Sequence, residues 1–129
     1  MQKNLKLILS VFILCSALSS AGLFAQDWVK VNPEMNNIIA DTTLLRATIA
    51  TIEPGAKSEI HTHPASFFYA LTDCKLKVYY TDGQTETFDL KAGDAGYGSP
   101  EKPHQTENTG TKTAKFLLVE LKEHPYIDR

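Results

Sequence analysis

Seven runs of five to nine residues, most of them rich in β-branched, aromatic and aliphatic side chains, follow one another at short intervals after residue 43. They are Leu44–Ile52, Lys57–His63, Phe67–Leu71, Lys75–Tyr80, Thr85–Leu90, His104–Asn108 and Ala114–Leu121. Turn-forming residues separate several of them: Pro54-Gly55, Asp82-Gly83, Ala92-Gly93-Asp94 and Thr109-Gly110-Thr111, with Asp82-Gly83 the strongest hairpin signal. Successive side chains of a strand point to opposite faces, so Leu76, Val78 and Tyr80 share one face and Lys75, Lys77 and Tyr79 the other. Regularly spaced short strands with no helical periodicity between them predict an all-β, antiparallel sandwich or barrel. Residues 44–122 are assigned to that barrel, 26–43 to an N-terminal segment and 123–129 to a C-terminal tail. About 100 residues suffice for one core but not for two.

The first 25 residues have a different character. Lys3 and Lys6 precede an apolar run from Leu7 to Leu18, and small residues then lead to Phe24-Ala25-Gln26. This is the order of an export signal, with cleavage expected after Ala25, or alternatively after Ala21. The apolar run is shorter than the ~20 residues of a spanning helix. Cys15 lies inside that run after Leu14 rather than after a small residue, which argues against a lipoprotein. The processed protein is expected in the periplasm or outside the cell, with no membrane attachment. Loss of Lys3 and Lys6 takes the formal charge from −2 to −4, an unfavourable balance for binding nucleic acid. Cys74 is then the sole cysteine, so no intramolecular disulfide can form, and it is expected as a small packed residue.

The histidines carry the chemistry. His61 and His63 occupy alternate positions, which on a strand present two imidazoles side by side, and His104 follows about forty residues later on another strand. That pattern points to a transition-metal site, for which imidazole is a suitable donor. Glu59 shares the strand parity of His61 and is a candidate carboxylate. His124, beyond the last strand and next to Pro125, is expected to be an exposed tail residue.

The spacing also resembles a known family. Gly55, His61 and His63 match the first motif of the cupins, a glycine, five residues and then His-x-His; Gly93, His104 and Asn108 keep the spacing of the second. The chain departs from the pattern in two places. The glutamate usual after the first motif is missing, its position falling on Ser66 or Phe67, and the proline and glycine inside the second motif fall on Ser99 and Glu101. A closer likeness is to small cupins of β-alanine degradation, through His-Thr-His-Pro at 61–64, Tyr-Ala-Leu-Thr-Asp at 69–73, Lys-Ala-Gly at 91–93 and Leu-Val-Glu-Leu-Lys at 118–122.

The resemblance implies a single double-stranded β-helix, the jelly-roll barrel, holding a divalent iron, manganese, zinc, nickel or copper ion through His61, His63 and His104. It implies a small-molecule ligand, and either metal-dependent dioxygenation or isomerisation, or non-catalytic ligand binding without essential metal; a metal that merely stabilises the barrel is a third role. Phe67 and Tyr69 are expected to follow the histidine strand with matching parity, and Tyr80, Phe88 and Tyr97 to lie near the pocket. Tyr69 and Tyr97 are the candidate catalytic proton donors. Asn108 is expected to position the His104 strand or its turn, and Gly55 and Gly93 to supply positive φ. By analogy a homodimer is expected, with Trp28–Val31 as an edge segment that pairs with the partner.

Overall fold

A computed structural model describes residues 26–129; the expected export signal lies outside the described residues. A single helical turn, α1 (Trp28–Val31), and a 3-10 turn (Pro33–Met35) lead into nine strands: β1 (Asn36–Asp41), β2 (Leu45–Ile52), β3 (His61–His63), β4 (Ser66–Ala70), β5 (Cys74–Tyr80), β6 (Thr85–Leu90), β7 (Ala95–Gly98), β8 (Glu101–Asn108) and β9 (Ala114–Leu121). They form two antiparallel sheets, β1-β2-β9-β4-β7 and β3-β8-β5-β6. Among the described residues no helix is long and apolar enough to cross a membrane.

The local chemistry accounts for the turns. Gly83 has φ 90°, and the Asp82 carboxylate accepts the Gln84 N–H at 3.0 Å, closing the β5–β6 hairpin. Gly55 and Gly93 also take positive φ, 77° and 95°, as their turns require. Asn108 is fully buried and fully paired. Its Nδ2 donates to Ile52 O and Lys112 O, both at 2.8 Å, and its Oδ1 accepts from Gly110 N–H at 2.9 Å, so it ties the end of β8 to the next turn.

The strand alternation read from β5 holds: Leu76 and Val78 are buried, while Lys75 is exposed. They join a core of Trp28, Ala50, Ile52, Cys74, Ala114 and Leu118, against which Phe68, Phe88, Leu90 and Phe116 pack. Each fully buried aliphatic side chain of this kind contributes roughly 1.5–3 kcal/mol relative to exposure. Cys74 is free and buried, and burial pushes its thiol pKa upward, as suits a packed rather than a reactive residue.

Four expectations are corrected. Trp28–Val31, expected as an edge segment, is a helical turn, capped by the Asp27 side chain accepting the Val29 N–H at 2.9 Å, and its Trp28 is 2% exposed against β3. The 26–43 segment supplies β1, which pairs along β2. Of the long strand expected over Lys57–His63, only His61–His63 is regular, preceded by an isolated bridge from Lys57 to Glu107. Finally, β7, with glycine at two of its four positions, pairs with β4 where no strand was expected. These glycines face inward opposite large or polar side chains; a Cβ on Gly96 would lie 2.8 Å from the Phe68 ring, so only glycine lets that ring lie over the strand.

Candidate metal centre

His61 and His63 sit on β3 and His104 on β8, its neighbour in the four-stranded sheet. His61 is paired with His104, and His63 with Glu101. Two steps along β3 therefore span three along β8, which is a β-bulge. Pro103 falls inside the bulge, where a residue without an N–H costs no ladder bond. The bulge matters because Glu101 and His104, three residues apart, would face opposite sides of a regular strand.

Each imidazole is held from behind by its Nδ1. His61 Nδ1 contacts Glu59 O at 2.7 Å, His104 Nδ1 contacts Lys102 O at 2.7 Å, and His63 Nδ1 contacts Glu120 Oε1 at 2.9 Å. These partners are acceptors, so each Nδ1 carries a proton and each ring presents its Nε2 forward. One donor atom from each ring lies within 4.8 Å of the other two. His61 Nε2 is buried without any hydrogen-bond partner, an orphan acceptor that a cation would satisfy.

At His61 and His104 the electrostatics favour unprotonated rings. Burial first, and then the neighbouring His63 and His104, push the His61 pKa down to about 2. Burial also lowers that of His104, although Glu101 opposes the shift. Trp28 packs over the assembly, its ring centroid 4.4 Å from that of His61. Behind His63 runs a buried charge chain: Glu120 Oε2 accepts from Arg46 Nη2 at 2.5 Å and Nε at 2.8 Å, and Arg46 Nη1 bonds Asp27 Oδ2 at 2.9 Å. The full-length β2–β9 ladder places Arg46 opposite Glu120. A carboxylate–histidine contact of this kind fixes the tautomer and raises the basicity of the forward nitrogen.

The forward face of His63 and His104 opens on a cavity of about 650 Å³ between the sheets. Its wall is mostly apolar, from Leu76, Val78, Phe88 and Leu118, with Tyr80, Glu86 and Glu101 as polar groups. Ser66, at the position of the missing glutamate, faces the cavity, while Phe67 points outward and is exposed. The expected parity of β4 is thus reversed. Tyr69 shares the outward face of Phe67, is 41% exposed and is not part of the cavity wall, so it is not placed to donate a proton there. Tyr97 pairs with Phe67 in the ladder, is 66% exposed and borders the cavity. Tyr80 and Phe88 do line the cavity. Glu59 is exposed and serves through its backbone carbonyl rather than its carboxylate. His124 is exposed, as expected of the tail.

Sequence reasoning missed Glu101, Glu120 and Arg46. A signal existed for Glu120: it shares the parity of Phe116 and Leu118, so its charge must be buried on the core face.

The family model described as a cupin domain matches residues 48–120. The chain belongs to the cupin family. Among curated proteins it is similar to an oxalate decarboxylase of Bacillus subtilis, 33% identical over 99 residues, covering 70% of this chain and 26% of that protein. A probable oxalate decarboxylase of Arthroderma benhamiae is 30% identical over 80 residues, covering 60% of this chain and 20% of that one. This cupin thus spans about a quarter or less of the length of the curated relatives it matches. Among solved structures, a cupin domain from Bordetella pertussis superposes with a TM-score of 0.61 at 18% identity, covering 67% of this chain and 90% of that one. The described cupin has three histidines positioned to bind a divalent transition ion, and that donor set suits a first-row metal.

Proposed function

We propose that this protein is an exported, metal-dependent cupin that acts on a small organic molecule, by dioxygenation or isomerisation. The observation that carries the reading is the convergence of three imidazoles, each with its Nδ1 committed to an acceptor, two of which, His63 and His104, line the cavity. His61, His63 and His104 would hold the ion, which supplies Lewis-acid activation of an oxygen-bearing ligand or of dioxygen. The apolar wall binds the hydrocarbon part of the ligand and limits water; the Tyr80 hydroxyl orients its polar end.

The cavity chemistry bears on the ligand. Among the described residues Lys102 is, apart from histidines, the only cationic residue of the wall, and it is tied to Asp82 and to Gln84 Oε1 at 2.7 Å. Glu86 and Glu101 face the same space. A small dianion such as oxalate, named for the curated relatives, would meet two carboxylates and no free guanidinium. A largely apolar ligand with one oxygen donor fits better.

A second reading, a ligand-binding cupin without essential metal, has one observation in its favour. Glu101 Oε2 lies 3.6 Å from His104 Nε2 and would pair with it directly if the ring carried a second proton. Substitution of His61 separates the two. A screen of metal-loaded protein against small hydroxylated and carbonyl compounds, with oxalate included, should find turnover that vanishes with the ion in His61→Ala. Ligand affinity that survives in metal-free His61→Ala supports the second reading instead. Export is tested separately by the mass of the mature chain, expected to begin at Gln26.

A further inference from the structure

The glutamate that the first histidine motif lacks has a counterpart on the other strand. Glu101 stands directly opposite His63 in the β3–β8 ladder, and the bulge turns it toward the same side as His104. Its carboxylate is fixed at one end: the Tyr80 hydroxyl donates to Oε1 at 2.9 Å. The other oxygen, Oε2, is left 3.6 Å from His104 Nε2. His104 already commits Nδ1–H to Lys102 O, so Nε2 of the neutral ring is an acceptor. Two acceptors, one of them anionic, therefore face each other across a gap with no donor between them. A cation bound by both removes that repulsion, and 3.6 Å is a separation that two donors on one first-row ion can adopt, given metal–ligand bonds of about 2.0–2.2 Å.

We propose that Glu101 is the fourth protein donor of this centre, a carboxylate delivered from β8 in place of the one missing after the first histidine motif. The inference rests on the metal-binding reading above and deepens it. It changes the character of the site from three imidazoles alone to three imidazoles and one carboxylate, a set that holds harder ions such as manganese and ferrous iron more firmly. Tyr80 acts as the positioning residue, since its hydroxyl selects which carboxylate oxygen is free. Glu86, whose Oε2 is 3.2 Å from the same hydroxyl, shares the cavity, forms no hydrogen bond or ion pair with any of the three histidines and serves as the control.

The test is calorimetric titration of the metal-free protein with Mn(II), for wild type, Glu101→Gln, Glu86→Gln and His61→Ala, with a thermal melt of each to verify folding. Glu101→Gln should bind at least about tenfold more weakly, because even groups behind the ligands typically cost 10–100-fold when changed, and Glu86→Gln should match wild type. Visible absorption of the Co(II)-loaded proteins should differ between wild type and Glu101→Gln. Wild-type affinity and an unchanged Co(II) spectrum in Glu101→Gln, with binding lost in His61→Ala, would overturn the role of Glu101 and leave the three-histidine site standing. Equal weakening by both glutamine substitutions would reduce the effect to general cavity charge and also overturn it. No binding by wild type would remove both readings together.

Discussion

Replacing Arg46 by methionine keeps most of its apolar stem and removes its guanidinium from the chain Asp27–Arg46–Glu120–His63. Glu120 has a 2% exposed side chain and Arg46 one 12% exposed, so water cannot take over the lost contacts. Removing one partner of a buried pair typically costs about 3–5 kcal/mol, because the other charge is left uncompensated. Glu120 keeps one partner, the Nδ1–H of His63, which places the expected loss near the lower end, at roughly 3 kcal/mol. Against a total stability on the order of 5–15 kcal/mol this is large, and for a domain of this size it corresponds to a fall in melting temperature of roughly 12–24 °C. Urea denaturation of metal-free Arg46→Met measures it directly. The double variant Arg46→Met/Glu120→Gln removes the stranded charge while keeping an oxygen to accept from His63, so it should recover at least about half of the loss. A loss below about 1 kcal/mol in the single variant, within the range of exposed pairs, or no recovery in the double, would refute the claim that this chain is a desolvated ionic support.

Other expectations follow from the same contacts. Since the folded-state pKa of His61, about 2, lies below the ordinary value of 6.5, the unfolded chain binds more protons in between; stability of the metal-free protein is fully present above pH 6.5 and falls as the pH drops toward 2, with a slope of about 1.4 kcal/mol per pH unit from this residue alone. Denaturation midpoints that stay flat between pH 7 and 5 would contradict the neutral, buried ring. Glu120→Gln, which weakens the acceptor behind His63, should lower metal affinity by roughly 10–100-fold without removing the ion, a shift that equilibrium dialysis would read. Trp28→Ala should cost about 3–5 kcal/mol in chemical denaturation and loosen metal retention, since the indole packs on His61; loss of stability with unchanged metal affinity would confine Trp28 to the core. Gly96→Ala should destabilise by about 1–3 kcal/mol and displace Phe68 into the cavity, visible as weaker binding of any ligand that fills it.

The strands that could be read from sequence are those whose burial is decided by their own side chains. The alternation in Lys75–Tyr80 marks a half-buried strand unambiguously, and Asp82-Gly83 closes its hairpin. β1 and β7 were hidden because their composition opposes strand formation: Asn36 and Asn37 open one, and glycines fill half of the other. Both form as outer strands of a larger sheet, where pairing with β2 or β4 outweighs propensity. The same holds for the site. His61, His63 and His104 were legible from spacing. The reversed parity of β4, which turns Tyr69 outward and Ser66 inward, and the bulge that brings Glu101 beside His104, depend on register between distant strands, which no local pattern encodes.

The central claim is that three histidines hold a transition ion, and metal analysis of the protein, purified without chelator or affinity tag, tests it most directly. Near-stoichiometric iron, manganese, zinc, nickel or copper in wild type, absent from His61→Ala, is the predicted result. Wild-type protein that holds no metal, even after reconstitution with each of these ions, would contradict the account.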